Sequence, residues 1–134
     1  MKMTFKKCNK CGQIVGLIND TGVPLICCGE EMETISPCTV EAELGEKHIP
    51  VCRREGNRLI VEIGKELHPS TDKHYIQWVA LVTTKGNQRK ILSPKDKPIV
   101  SFMLDSDEEP LEIYAYCNIH SLWELDITKK KCER

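Results

Sequence analysis

His48, His68, His74 and His120 are the only histidines of this 134-residue chain, and Cys117 stands three positions before the last of them in Cys117-Asn118-Ile119-His120. Four imidazoles and one thiolate form a ligand set for a redox-active transition metal. Imidazole and thiolate together suit iron, copper or zinc, but structural zinc sites close at four ligands and rarely recruit four histidines. Five ligands leave an octahedral ion one open position, where a small substrate can bind. These residues therefore predict a metalloenzyme.

A second cysteine group lies near the N-terminus. In Cys8-x2-Cys11-Gly12 the glycine lets the backbone turn so that amide groups can point at a ligated sulfur. A knuckle of this kind serves zinc or iron, and by itself reads as zinc. Its companion here is the adjacent pair Cys27-Cys28, followed by Gly29. Adjacent residues project in different directions, so both reach one ion only through a tight turn, and the tetrahedron should be distorted. That pairing favours iron held by four thiolates. Eight cysteines are an even number, but the N-terminus carries no apolar stretch suited to a signal peptide, so metal ligation in a reducing compartment is expected over a disulfide scaffold. Cys52 reads as a small buried hydrophobe, and Cys38 and Cys132 as bystanders.

The elements that must position these ligands change character near Ser36-Pro37. Residues 1–36 carry too few large apolar side chains to fold unaided, so a metal must stabilise them. Beyond that point Val40 to Leu44, Leu59 to Ile63, Tyr75 to Thr84, Ile99 to Leu104, Leu111 to Tyr116 and Trp123 to Ile127 read as strands, with Glu55-Gly56-Asn57 and Lys85-Gly86-Asn87 as hairpin turns. Leu111, Ile113 and Ala115, then Trp123, Leu125 and Ile127, alternate with Glu112, Glu124 and Asp126. One buried face is expected. The fold class is all-β: a small metal domain over 1–36, then an immunoglobulin-like antiparallel β-sandwich over 38–134. Trp123 reads as core.

Charged residues make up 29% of the chain and the net charge is −1, so bulk electrostatics names no partner. No basic stripe points to nucleic acid. No apolar run is long enough for a membrane helix. A cytoplasmic location is the expectation.

Cys8-x2-Cys11-x15-Cys27-Cys28-Gly29 resembles the desulforedoxin module, a rubredoxin-like domain in which four cysteines hold one iron. Glu46-Lys47-His48-Ile49-Pro50-Val51, His68-Pro69, Lys73 to Trp78 and Tyr116 to Trp123 resemble the neelaredoxin module of superoxide reductases. Together they are similar to the two-iron desulfoferrodoxins, over nearly the whole chain from Cys8 to Trp123. The resemblance implies two iron ions. Centre I would use Cys8, Cys11, Cys27 and Cys28. Centre II would have His48, His68, His74 and His120 as equatorial ligands, Cys117 as axial ligand and a vacant sixth position. It implies a superoxide reductase, in which one superoxide, one electron and two protons give one hydrogen peroxide and no oxygen. Lys47 would steer the anion, and Glu46 would occupy the sixth position in the ferric state. Rubredoxin as electron donor and a homodimer paired through the N-terminal domain are implied in the same way.

Two other readings stand beside this one. A non-catalytic iron electron carrier would leave the Glu46-Lys47 pair without a role. A zinc-stabilised binding module would need no five-ligand set, although fold alone does not fix activity.

Overall fold

The computed structural model describes residues 3–38, 48–64 and 67–129. The chain falls into two compact units, Met1–Ser36 and Pro37–Arg134. In the first, β1 (Thr4–Lys7) lies between β2 (Ile14–Leu17) and β5 (Glu33–Thr34) in an antiparallel sheet. A hairpin pairs β3 (Ile26–Cys27) with β4 (Glu30–Glu31). Its turn residues are Cys28 and Gly29, with φ of 53° and 76°. Two successive positive φ values make a type I′ turn, the tight connection that adjacent cysteines require. Among the described residues of this unit only Phe5, Cys8 and Met32 are buried. So small an apolar core leaves much of the stability to the cysteine site.

The second unit contains β6 (Pro50–Glu55), β7 (Arg58–Ile63), β8 (Ile76–Thr83), β9 (Gly86–Ile91), β10 (Ile99–Met103), β11 (Pro110–Cys117) and β12 (Ser121–Asp126). They form two antiparallel sheets, ordered β10-β7-β6 and β12-β11-β8-β9. Leu59, Val61, Ile63 and Phe102 from one sheet share a core with Val79, Leu81, Ile113, Ala115, Trp123 and Leu125 from the other. Each strand contributes alternate residues, as a period of two demands. The all-β sandwich expected from the sequence is present. Among the described residues no helix is long and apolar enough to cross a membrane.

Five expected strands correspond to β7, β8, β10, β11 and β12. Val40 to Leu44 lies outside the described residues. β9 was not anticipated because Gly86-Asn87-Gln88-Arg89-Lys90-Ile91 is largely exposed and shows no apolar alternation. It is an edge strand, where charged side chains discourage pairing with another chain. The polar half of β6, Arg53-Arg54-Glu55, hid that strand in the same way. The β6–β7 turn is Gly56-Asn57, with Gly56 at φ 60°. The β8–β9 turn falls earlier than expected, on Thr84-Lys85, because Thr83 already pairs with Gly86 and its hydroxyl accepts the Lys85 N–H at 3.1 Å.

Two further expectations are corrected. Glu112 and Glu124 do face away from the core, yet both are buried, together with Tyr114, Tyr116 and Leu122 on the same face. Both faces of this sheet are therefore covered. The Tyr114 hydroxyl donates to Glu112 at 3.1 Å, so polarity marked the second face without marking it as exposed. Cys52 is buried as expected but is disulfide-bonded and is not a free thiol. Disulfide pairing depends on the approach of two Cα atoms in the fold, which sequence order does not give.

One irregularity bears directly on the ligands. Tyr116 pairs with Trp78 but Cys117 pairs with Ile76, so β8 carries Gln77 as an extra residue. A β-bulge of this kind re-aims neighbouring side chains. It brings Ile76 into the core beside Cys117, at the end of β11.

Phe102 is fully buried and Met103 is exposed. Phe102→Ala should destabilise the protein by about 3–5 kcal/mol, and Met103→Ala by no more than about 0.5 kcal/mol. Urea denaturation of the two variants checks this, and equal losses would mean that β10 presents the wrong face to the core.

Candidate metal centres

The first centre is built almost entirely from local backbone chemistry. Cys8 follows β1, and Gly12 at φ 80° allows the chain to fold back. The Gly12 N–H then donates to Cys8 O at 2.9 Å, and the Cys8 N–H to Gln13 O at 2.9 Å. Cys27 ends β3, and Cys28 sits in the type I′ turn. The sulfurs of Cys8, Cys11, Cys27 and Cys28 all lie within 4.8 Å of one another. Cys11 and Cys27 sulfurs are 3.6 Å apart, and those of Cys27 and Cys28 4.0 Å. An ion about 2.3 Å from each of four sulfurs separates them by about 3.8 Å in a tetrahedron. The observed edges bracket that value.

The backbone and the close approach of the sulfurs also shift three of the thiols. Backbone N–H groups, first that of Cys11 and then that of Lys10, pull Cys8 down to about 6 against the opposing effect of burial. Hydrogen bonding with the Cys8 and Cys11 thiols, with burial adding, pushes Cys27 up to about 12. The side chains of Cys11 and Cys8 raise Cys28. One thiolate thus forms readily and suppresses its neighbours. A metal cation in place of the protons lets all four ionise together.

The second centre is built by the sandwich. His48 precedes β6, His68 lies between β7 and β8, His74 precedes β8, Cys117 ends β11 and His120 lies in the short loop to β12. Antiparallel pairing brings these strand ends to one end of the fold. One ligand atom from each of the five residues lies within 4.8 Å of every other. His48 Nε2 is 3.1 Å from His68 Nε2 and 3.1 Å from His120 Nδ1. The rings form a cycle: His48–His68, His68–His74, His74–His120 and His120–His48 have centroids 4.5–5.0 Å apart with steep interplanar angles. His48 and His74 stand across it at 6.3 Å. Two nitrogens at right angles around an ion about 2.1 Å away are separated by about 3.0 Å. The histidines therefore form a square that fits one ion. Cys117, fully buried, adds the fifth donor, with its sulfur 3.8 Å from His120 Nδ1.

The surroundings fix the ligands individually. Pro69 O only accepts, so the His68 Nδ1 that meets it at 2.8 Å carries the proton, and Nε2 presents its lone pair to the cycle. Burial pushes His68 down to about 4, against the raising effect of that hydrogen bond. It is neutral at pH 7 and releases no proton on ligating a metal. Trp123 was read as core, and it is buried, but its ring also stacks on His48 at 4.6 Å and 21°. Its Nε1–H donates to His120 O at 2.9 Å. One side chain thus supports two adjacent corners of the square. Its position three residues after His120 was the available signal. Glu46 and Lys47 lie outside the described residues.

Trp123→Phe keeps an aromatic ring against His48 and removes the N–H bond to His120. Cobalt(II) binding at the histidine centre should weaken by about tenfold, with the four-cysteine centre unchanged. Titration followed by the visible absorption of cobalt(II) checks this, and unaltered affinity would leave Trp123 as core packing alone.

Comparison with known proteins agrees with both centres. The family model described as Desulfoferrodoxin matches residues 40–126, and the model for the desulfoferrodoxin N-terminal domain matches residues 2–35. The chain is 39% identical over 122 residues to a desulfoferrodoxin of Syntrophotalea carbinolica, covering 91% of this chain and 94% of that protein. It is 39% identical over 100 residues to a superoxide reductase of Pyrococcus horikoshii, covering 62% of this chain and 87% of that protein. Among solved structures, the superoxide reductase of Treponema pallidum superposes with a TM-score of 0.79 at 32% identity, covering 93% of this chain and 98% of that one. The four-cysteine group and the group of four histidines and Cys117 fit the two-iron desulfoferrodoxin pattern. With both modules matched in order and both ligand sets assembled, the chain belongs to the desulfoferrodoxin family.

Proposed function

We propose that this chain is a superoxide reductase, converting superoxide to hydrogen peroxide without forming oxygen. The observation that carries the reading is the square of histidine nitrogens joined by a buried cysteine, in a chain similar to proteins named superoxide reductase. Held by these five residues, iron would supply one-electron redox chemistry, with one superoxide, one electron from an outside donor and two protons giving one hydrogen peroxide.

The family resemblance supplies the ligand roles. His48, His68, His74 and His120 would hold the iron together with Cys117, its one thiolate donor. The Cys117 thiolate would donate electron density to the iron and so favour its giving up an electron. Lys47, next to His48 in sequence, supplies positive charge that draws in the anion. Glu46, two residues before His48, would shield the iron in the resting state and give way to substrate. Cys8, Cys11, Cys27 and Cys28 hold the other iron in a supporting role. Reduced rubredoxin is the donor, the protein acts in the cytoplasm, and the N-terminal units of two copies pair in a homodimer.

Two irons per chain are expected in protein purified without added metal. Superoxide should oxidise the reduced histidine centre stoichiometrically, releasing peroxide and no oxygen. Iron that ignores superoxide would identify an electron carrier, and zinc at both sites a binding module. Lys47→Ala should slow superoxide capture and weaken its salt dependence. Glu46→Ala should change the ferric spectrum with little loss of capture. Stopped-flow mixing reads both variants, and an unchanged capture rate in Lys47→Ala would remove the steering role.

A further inference from the structure

We propose that Asn118 is a positioning residue that fixes the His74 imidazole relative to the Cys117 thiolate. The proposal rests on the reading that these residues share one metal. Asn118 follows Cys117 directly, and its carboxamide reaches across to the segment that carries His74. Its Nδ2 donates to Lys73 O at 2.9 Å, and its Oδ1 accepts the Tyr75 N–H at 3.0 Å. The Asn118 backbone N–H donates to Tyr75 O at 3.3 Å. These bonds straddle His74, gripping the residue before it and the residue after it.

Thr71 holds the intervening backbone. The Thr71 N–H donates to His74 O at 3.0 Å, and the His74 N–H is shared between Thr71 O at 3.2 Å and Thr71 Oγ1 at 3.1 Å. The Thr71 hydroxyl lies 3.3 Å from His74 O. Thr71 shapes the turn, but it does not connect the turn to Cys117. Asn118 makes that connection. A neutral carboxamide provides a donor and an acceptor on one planar group. Aspartate offers acceptors only, so it keeps the bond from Tyr75 and loses the bond to Lys73.

Asn118 is exposed, so water competes for its hydrogen bonds and its share of folding stability is small. Its contribution lies in geometry. His74 is partly exposed, whereas His48 and His68 are buried. The hydrogen bonds of Thr71 and Asn118 hold the backbone on both sides of it. Groups that orient metal ligands set affinity and electronic properties without touching the ion.

The test uses the full chain loaded with iron and compares Asn118→Ala, Asn118→Asp and His74→Ala with the unmodified protein. Iron release from the histidine centre to a chelator, the ferric electron paramagnetic resonance signal and the reduction potential are measured beside thermal unfolding. Asn118→Ala should release this iron about tenfold faster, with a broadened ferric signal and a shifted potential. Asn118→Asp should fall between, and the four-cysteine iron and the unfolding temperature should hold. If Asn118→Ala leaves release, signal and potential unchanged while His74→Ala alters them, the positioning role is overturned and the ligand reading stands. If His74→Ala leaves them unchanged as well, the ligand reading fails with it.

Discussion

Imidazole nitrogens facing one another around a single point are the constraint on which this end of the sandwich depends. His48 Nε2 meets two other ring nitrogens at 3.1 Å. A ring nitrogen carries either a proton or a lone pair, and one proton points at one partner. Pro69 settles His68 as the tautomer whose Nε2 is a lone pair. A cation at the middle of the cycle satisfies every lone pair at once, and without one these nitrogens are crowded together in a largely dry site. Metal binding and the final packing of this end of the sandwich are therefore linked equilibria.

The two centres reach similar ends by different routes. At the four-cysteine centre all ligands fall between Cys8 and Cys28, and the work is done by backbone turns: a glycine at φ 80° and a type I′ pair at Cys28-Gly29. The ligands at the histidine centre span His48 to His120, and only the pairing of distant strands brings them together. The consequence for stability is opposite. With so few buried side chains, the first unit has little to hold it together besides the metal site. The second has a core drawn from both sheets, so its scaffold can form first and present its ligands to the ion.

This difference also explains what was legible in the sequence. The knuckle and the Cys-Cys-Gly turn were readable because their geometry is local and glycine marks it. The histidine ligands were readable by residue type, since the chain has no other histidines. Their cyclic order was not, because it depends on which strand ends become neighbours. Strands with apolar alternation were found, whereas β9, polar and on an edge, carried no periodic signal. Burial of Glu112 and Glu124 was hidden for a related reason: alternation separates the two faces of a sheet but does not say whether the polar face meets water. Trp123 was legible as core and illegible as a support for His48 and His120, since both roles use the same buried ring.

Each corner of the square has its own means of restraint. Pro69 orients His68, Trp123 packs on His48 and bonds to the His120 carbonyl, and the bulge at Gln77 accompanies the entry of Cys117 into the core. His74 is held through Thr71 and Asn118. The restraint is uneven in solvent exposure. His48, His68 and Cys117 are buried, while His74 and His120 are partly exposed and adjacent in the cycle. The square thus has a dry edge and a wet edge. On the proposed chemistry the dry edge would hold its ligands in place by packing, since His48, His68 and Cys117 are buried. The wet edge gives water its nearest approach to the ligands. Exposed Asn118 and Ile119 border this edge. Hydrogen bonds hold ligands at both edges, with Pro69 accepting from buried His68 and Thr71 and Asn118 bracketing partly exposed His74, and aromatic contact with Trp123 adds to them at His48.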